Sequence, residues 1–305
     1  MTAKRNFFVI INPVSGNGHG KKVWLAIQSK LNLYFNIEFS FTTHPNHEIE
    51  ITHTAIKKGH KQFIIIGGDG TINNFINGVF SQDNSNYKSI IFGVIPVGTG
   101  NDWVKTHGIS KNINKALQTI LNGTINTQDV GCIKYLDQNI SSKYFLNLAG
   151  IGFDGLVVNI VNNNRAFGQF TYILGALKGL YKYRFFETKI TTNSEVINIK
   201  CCFMIQIGIC KYTGSGMQLT HKANPKDGLF DITIANHFYK WDIIKNIFKL
   251  FNGKIVFHDK VKTFKANNLL IENSATNTYF QADGEQIAPG KITISIINNG
   301  IQFYC

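Results

Sequence analysis

The chain has 305 residues, with 31 Lys and Arg against 18 Asp and Glu, a formal net charge of +13. Hydrophobic residues make up 44% and charged ones 16%, which excludes a disordered chain. Five prolines and aperiodic glycine exclude fibrous and low-complexity classes, and the length suits one large or two ordinary domains.

Short β-rich runs come first: Phe7–Ile11, Ile37–Thr42, Phe63–Ile66 and Ile90–Ile95. They alternate with helical patterns over Gly20–Leu31, His47–Lys58, Thr71–Phe80 and Ile113–Leu121. This alternation predicts a parallel sheet with crossover helices over residues 1–130. Phe63-Ile64-Ile65-Ile66 has the unbroken apolar character of a central strand buried on both faces. Over 131–305 the texture changes. Strands are expected at Asp129–Tyr135, Lys143–Leu148, Thr188–Thr192, Val196–Ile209 and Leu229–Ala235. Others follow at Val261–Ala266, Leu269–Ile271, Tyr279–Ala282 and Lys291–Ile297, with eight residues after the last. Such dense strands predict a mostly antiparallel second domain. A helical stretch is expected over Asp154–Tyr183. A second helix puts Ile243, Ile244, Ile247, Phe248, Leu250 and Phe251 on one side, and Asp242, Lys245, Asn246 and Lys249 on the other.

No apolar stretch approaches the roughly 20 residues of a spanning helix. Met1–Arg5 runs into the first strand without a signal-peptide pattern, so a cytoplasmic location is expected. Cys132, Cys201, Cys202, Cys210 and Cys305 form no CxxC pair and read as free thiols in a reducing compartment.

Glycine-rich turns close three of the first-domain strands: Asn12-Pro13-Val14-Ser15-Gly16-Asn17-Gly18, Gly67-Gly68-Asp69-Gly70-Thr71 and Pro96-Val97-Gly98-Thr99-Gly100-Asn101-Asp102. Open α/β sheets bind ligands at this edge. Glycines let backbone approach a phosphate, and the following helix N-termini supply N–H donors. The spacing is neither a P-loop nor a GxGxxG fingerprint. Asp69 has two readings: a helix cap, or a carboxylate for metal or proton abstraction beside phosphate. Asp102 has the same two. Asn224–Asp231 reads as a turn entering a strand, where Asp227 and turn carbonyls also make an oxygen-rich cation site. Asp283-Gly284-Glu285 reads as a hairpin turn or as a general base beside a bound hydroxyl.

The set GGDGT at Gly67–Thr71, PVGTGND at Pro96–Asp102, GxGFDG at Gly150–Gly155, NPKDGLFD at Asn224–Asp231 and DGE at Asp283–Glu285 resembles the diacylglycerol/sphingosine kinase family, most closely the soluble bacterial lipid kinases. The resemblance implies an α/β nucleotide-binding domain followed by a β-sandwich, with ATP and Mg²⁺ as cosubstrates. It implies ATP contacts at Asn12, Pro13, Val14, Ser15, Gly16, Thr42, Gly67, Gly68, Asp69, Gly70, Thr71, Ile72, Asn73 and Thr99. A Mg²⁺ site is implied at Asp227, with the carbonyls of Asn224 and Leu229. The proton acceptor is implied at Glu285 of the Asp283–Glu285 motif, or at Asp69 as in the sphingosine-kinase branch. Three departures stand out: Asn74 replaces the family's usual Glu, the nearest lysines after the first loop are Lys21 and Lys22, and the tail is short.

The reaction expected is phosphoryl transfer from ATP to a lipid hydroxyl. The rivals are a GGDGT kinase of NAD or a sugar phosphate, and a nucleotide-binding regulator without turnover. Nucleic-acid binding is not expected, because no such motif accompanies the basic charge. Clustered lysines over 240–265, and basic residues over 165–189, suggest peripheral contact with an anionic membrane that holds the lipid substrate. A homodimer stays open.

Overall fold

The structure is a computed structural model and describes residues 4–82, 85–162, 179–180, 183–273 and 278–305. The chain forms two units: residues 1–128 with 299–305, and residues 129–298. Unit 2 is thus inserted into the chain of unit 1.

Unit 1 is α/β. β1 (Arg5–Ile11), β2 (Phe35–Phe41), β3 (Gln62–Gly67) and β4 (Ile91–Pro96) lie parallel in the order β4-β3-β1-β2. The connections are α1 (Ser15–Tyr34), α2 (His47–Lys57) and α3 (Asp69–Phe80). Strand order reverses about β1, so the loops after β1 and β3 open at the carboxyl edge where such sheets bind ligands. α4 (Asp102–Thr106) and α5 (Ile113–Asn122) follow β4. The Asn112 side chain caps α5 by accepting from Asn114 and Lys115 N–H, and Gly123 at φ 75° ends it. α5 buries Ala116, Leu117 and Ile120.

An aromatic file fills the core. Ring centroids step from Phe63 to Phe75 (5.1 Å), Phe92 (5.3 Å), Trp103 (5.5 Å) and Phe303 (4.8 Å). Tilted and edge-on pairs of this kind add about 0.5–1.5 kcal/mol each beyond burial. Phe303 belongs to the last strand, which runs to Tyr304 and does not stop at Ile297 as the sequence suggested. Its end pairs in parallel with β4, Gln302 with Ile91 and Phe303 with Phe92. The short tail is therefore a strand of unit 1.

Unit 2 is antiparallel. Its strands are the rest of β5 (Ile125–Tyr135), β6 (Lys143–Phe145), β7 (Leu148–Gly152), β8 (Phe186–Thr191), β9 (Val196–Gly208), β10 (Phe230–Asn236), β11 (Val261–Ala266), β12 (Asn268–Asn273), β13 (Phe280–Ala282), β14 (Glu285–Ile287) and β15 (Ile292–Tyr304) up to Asn298. The order runs β14-β13-β7-β9-β8-β12-β15, with β10 between β9 and β11. The single strand expected over Lys143–Leu148 is two, because the N–H groups of Leu146, Asn147 and Leu148 all go to one carboxylate, Asp283. Of the helix expected over Asp154–Tyr183, α6 (Phe153–Asn162) is observed; residues 163–178 and 181–182 lie outside the described residues.

α7 (Lys240–Phe251) corrects the sequence reading of its faces. Ile243 and Leu250 pack on a core of Phe153, Leu219 and Phe238. Asn246, placed on the polar side by the wheel, is 8% exposed, and Phe248, placed on the apolar side, is 83% exposed. The Asn246 amide donates to the Asp242 carbonyl at 2.7 Å, which satisfies it inside. All five cysteines are free, and no helix among the described residues is long and apolar enough to cross a membrane.

Candidate active site

In unit 1 the three glycine loops meet. A Cβ on Gly16 would strike the Val97 carbonyl oxygen, and one on Gly98 would lie 2.5 Å from the Gly68 Cα. Glycine is required at these contacts because two backbones touch there. Gly16, Asn17 and Gly18 all have positive φ, so the first turn of α1 is an open loop and regular helix begins after it. Loop one is tied to β3 by Asn12 N–H to Ile66 O (3.0 Å), and loop three by Val97 N–H to Gly67 O (2.9 Å). Thr42 N–H donates to Ile11 O (2.9 Å), so Thr42 sits buried at the same edge.

α3 starts here without a side-chain cap, and its first N–H groups have no partner within the helix. A Cβ on Gly70 would meet open space. Close-packed glycine backbone beside an open helix N-terminus fits a chain of phosphates. Thr99 is exposed on loop three. Ile72 supports the loop from inside: its side chain is in the core and its N–H goes to Gly68 O at 3.1 Å. Pro13 and Ser15 are half-buried and Val14 is exposed. The His19 ring returns to the Gly16 carbonyl at 2.5 Å, while Lys21 and Lys22 are exposed.

Behind the loops a carboxylate comes from an unforeseen place. Glu48 of α2 is 3% exposed. Its Oε1 accepts from Asn12 Nδ2 (3.2 Å) and its Oε2 from Asn74 Nδ2 (3.2 Å). Asn12 also donates to Thr71 Oγ1 at 3.0 Å. Asn74 thus faces an acid supplied by α2. A buried acid flanked by amides was not marked by any motif.

Asp69 is a cap, of α4 and not of the helix it opens. Its Oδ2 accepts Asp102 N–H and its Oδ1 accepts Trp103 N–H, both at 3.0 Å. It therefore locks loop three to loop two. Asn101 precedes α4 at φ 54° and donates to Gly98 O at 2.5 Å.

In unit 2 the Asp283 carboxylate accepts three N–H groups: Leu146 (2.6 Å), Asn147 (2.8 Å) and Leu148 (3.0 Å). Asp283 itself has φ 48° and Gly284 φ 82°, the left-handed pair of a tight hairpin turn. Gly284 N–H donates to Gln281 Oε1 at 2.9 Å, and Gln281 Nε2 donates to Asp154. Gln206 is a second donor to Asp154, whose carboxyl is pushed above its ordinary range, chiefly by burial. The GxGFDG acid thus underpins the DGE turn. Glu285 stands exposed at the start of β14, on the turn these bonds hold.

The turn over Asn224–Leu229 is held by its own groups and by Asp129 of β5, whose Oδ2 accepts Gly228 N–H and whose N–H donates to Pro225 O, both at 2.8 Å. Asp227 Oδ1 accepts Leu229 N–H (3.1 Å), and Asn224 Oδ1 accepts Lys226 N–H (3.2 Å). The Asn224 carbonyl takes Asp227 N–H at 3.4 Å. Lys265 Nζ lies 2.7 Å from Asp227 Oδ2 and 3.3 Å from Asp231 Oδ2. An ammonium therefore holds the seat suggested for Mg²⁺. A cation at Asp227 would have to displace it, so no metal is assigned to this turn.

Comparison with known proteins extends along nearly the whole chain. Residues 6–133 match the family model "Diacylglycerol kinase catalytic domain", and residues 147–305 match "YegS C-terminal NAD kinase beta sandwich-like domain". A Mycobacterium tuberculosis protein named diacylglycerol kinase is 29% identical over 250 residues, 81% of this chain and 78% of that one. A Bacillus subtilis diacylglycerol kinase is 27% identical over 284 residues, 91% and 88% of the two chains. A Bacillus anthracis crystal structure described as a diacylglycerol kinase shares the fold, with a TM-score of 0.73 at 20% identity, over 100% of this chain and 97% of that one.

Proposed function

The chain belongs to the diacylglycerol kinase-like lipid kinase family, and from that premise we propose that it moves the γ-phosphoryl group of ATP onto a lipid hydroxyl of the diacylglycerol class. The observation that carries this reading is the meeting of three glycine loops beside the uncapped start of α3. The acceptor class follows the names of the relatives.

Bound ATP, carried as its Mg²⁺ complex, supplies the phosphoryl group and part of the charge that stabilises its transfer. The N–H groups opening α3 hold the phosphate oxygens, and the helix dipole adds to that attraction. Asp69 keeps loop three in register through α4. Glu285 orients the acceptor hydroxyl and takes its proton. Asp69 and Asp283 suit that role less, since their oxygens already bind two and three backbone N–H groups.

Purified protein with labelled ATP, Mg²⁺ and a lipid panel tests the reaction. Transfer of label to a diacylglycerol is the expected result, and no labelled lipid overturns it. Glu285→Gln is expected to lower kcat by about 10²–10⁴-fold with unchanged folding; full activity in that variant removes Glu285 as the base. A second reading is favoured by one observation, the NAD kinase-like description of the matched second domain. Label appearing on NAD or another soluble acceptor in the same assay would select it.

A further inference from the structure

The outer face of α7 is unusual for a surface helix. Trp241 is 70% exposed and Phe248 83% exposed. Seven residues apart, they share one side of the helix, about 10 Å from each other along its axis. Lys245 and Lys249 flank them and are exposed. Phe251 at the end of the helix, Phe257 in the turn after it and Tyr239 before it are exposed too. The opposite side of α7 is already used, by Ile243, Asn246 and Leu250 against the core. Exposed aromatics concentrated in one helix and its flanks mark an interaction surface.

The charges indicate what it meets. Lys245, Lys249 and Lys254 have no ion-pair partner among the described residues. The helix's own acid, Asp242, is turned inward: it accepts from Tyr239 N–H (2.8 Å) and pairs with Lys260 (2.7 Å). The helix face is therefore aromatic and cationic without an exposed acid of its own, and the exposed Asp259 in the turn after it lies against the His258 ring at 2.7 Å. A second copy of this surface would set lysines against lysines. A protein groove-binder is disfavoured as well, since the aromatics stand out from the helix, Trp241 and Phe248 by more than two thirds of their surface. Trp, Tyr and Phe among lysines are the composition of the bilayer headgroup region, where rings enter the acyl boundary and ammonium groups meet lipid phosphate.

We propose that α7 and the turn after it form the surface by which unit 2 docks on an anionic lipid bilayer, with Trp241 and Phe248 inserted and Lys245 and Lys249 at the phosphates. The proposal rests on the lipid-kinase reading, because a bilayer is where such an acceptor resides. It predicts shallow, reversible attachment of an interfacial helix.

The full-length protein carries its own reporter. Of three tryptophans, Trp24 and Trp103 are buried, so a change in emission on adding vesicles reports on Trp241. Vesicles of phosphatidylcholine with phosphatidylglycerol should shift Trp241 emission to the blue, and lipids brominated near the headgroup should quench it. Trp241→Ser/Phe248→Ser should weaken binding by at least about tenfold at low and high salt alike. Lys245→Gln/Lys249→Gln should lower it by about 25-fold at low salt only, with little effect on vesicles of phosphatidylcholine alone. Trp241→Phe should keep binding while losing the signal. Unchanged binding in the Ser double variant overturns the proposal. So does self-association, or capture of an acidic protein, that depends on these residues while vesicles are ignored. Phosphorylation of a short-chain diacylglycerol presented without anionic lipid separates the two readings. The Ser variant should retain it, and its absence in the wild type would count against the kinase reading while leaving the vesicle result to stand.

Discussion

Asn74 is a residue whose meaning depends on its neighbour. Its amide donates to Glu48, a carboxylate held inside unit 1. Asn74→Glu would set two carboxylates face to face and remove a hydrogen bond to a charged group, a loss of about 1–3 kcal/mol. Urea denaturation should show that loss, and Glu48→Gln/Asn74→Glu should recover most of it. A neutral single variant would mean that Glu48 does not define the site. Lys265 presents the complementary case. Between Asp227 and Asp231 it stands in for a cation, and its own ammonium is held above its usual range, first by Asp227. Lys265→Met should uncover an acidic pair that takes Mn²⁺ or Mg²⁺ about tenfold more tightly, measurable by calorimetry or Mn²⁺ resonance. Equal affinity in both proteins would show that the ammonium does not occupy the seat.

The β13–β14 hairpin is held by a route through Gln281 to Asp154. Because burial raises the Asp154 carboxyl, the folded protein keeps a proton that the unfolded chain loses near pH 4. The folded state then binds more protons, so this group's contribution falls as pH rises from that value to the raised one, and is constant above it. Asp154→Asn should remove that segment of the pH–stability curve; thermal melts of both proteins between pH 4 and 8 would reveal it as a flatter profile. An identical pH dependence would discount Asp154. At this scale much was legible in the sequence. Phe63–Ile66 declares a buried strand through unbroken apolarity, and the glycines of loops one, two and three sit where backbones touch. Asp69, Asp283 and Asn246 were not legible in the same way. Asp69 caps a helix that begins 33 residues later, Asp283 binds backbone more than 130 residues earlier, and Asn246 is paid for by a carbonyl of its own helix. Such roles are decided by tertiary partners and leave no local period.

The two units depend differently on the chain. Unit 2 is continuous, whereas unit 1 is completed by the strand ending at Tyr304. Phe303 is fully buried against Phe92 and Trp103, so Phe303→Ala should destabilise unit 1 by about 3–5 kcal/mol. Hydrogen exchange read separately over β1–β4 and over β8–β10 would find the loss in the first set, and an equal loss in both would show that the units unfold together. The late closure also bears on how the protein is made. Synthesis delivers Trp103 to the outside of the ribosome about 200 residues before Phe303. At about 5–20 residues per second that interval is roughly 10–40 s. Throughout it the β4 edge lacks its final strand, an open template for wrong pairing. Unit 1, first in the chain, is the last to be finished, and its β4 edge waits for a partner strand until Phe303 has been made.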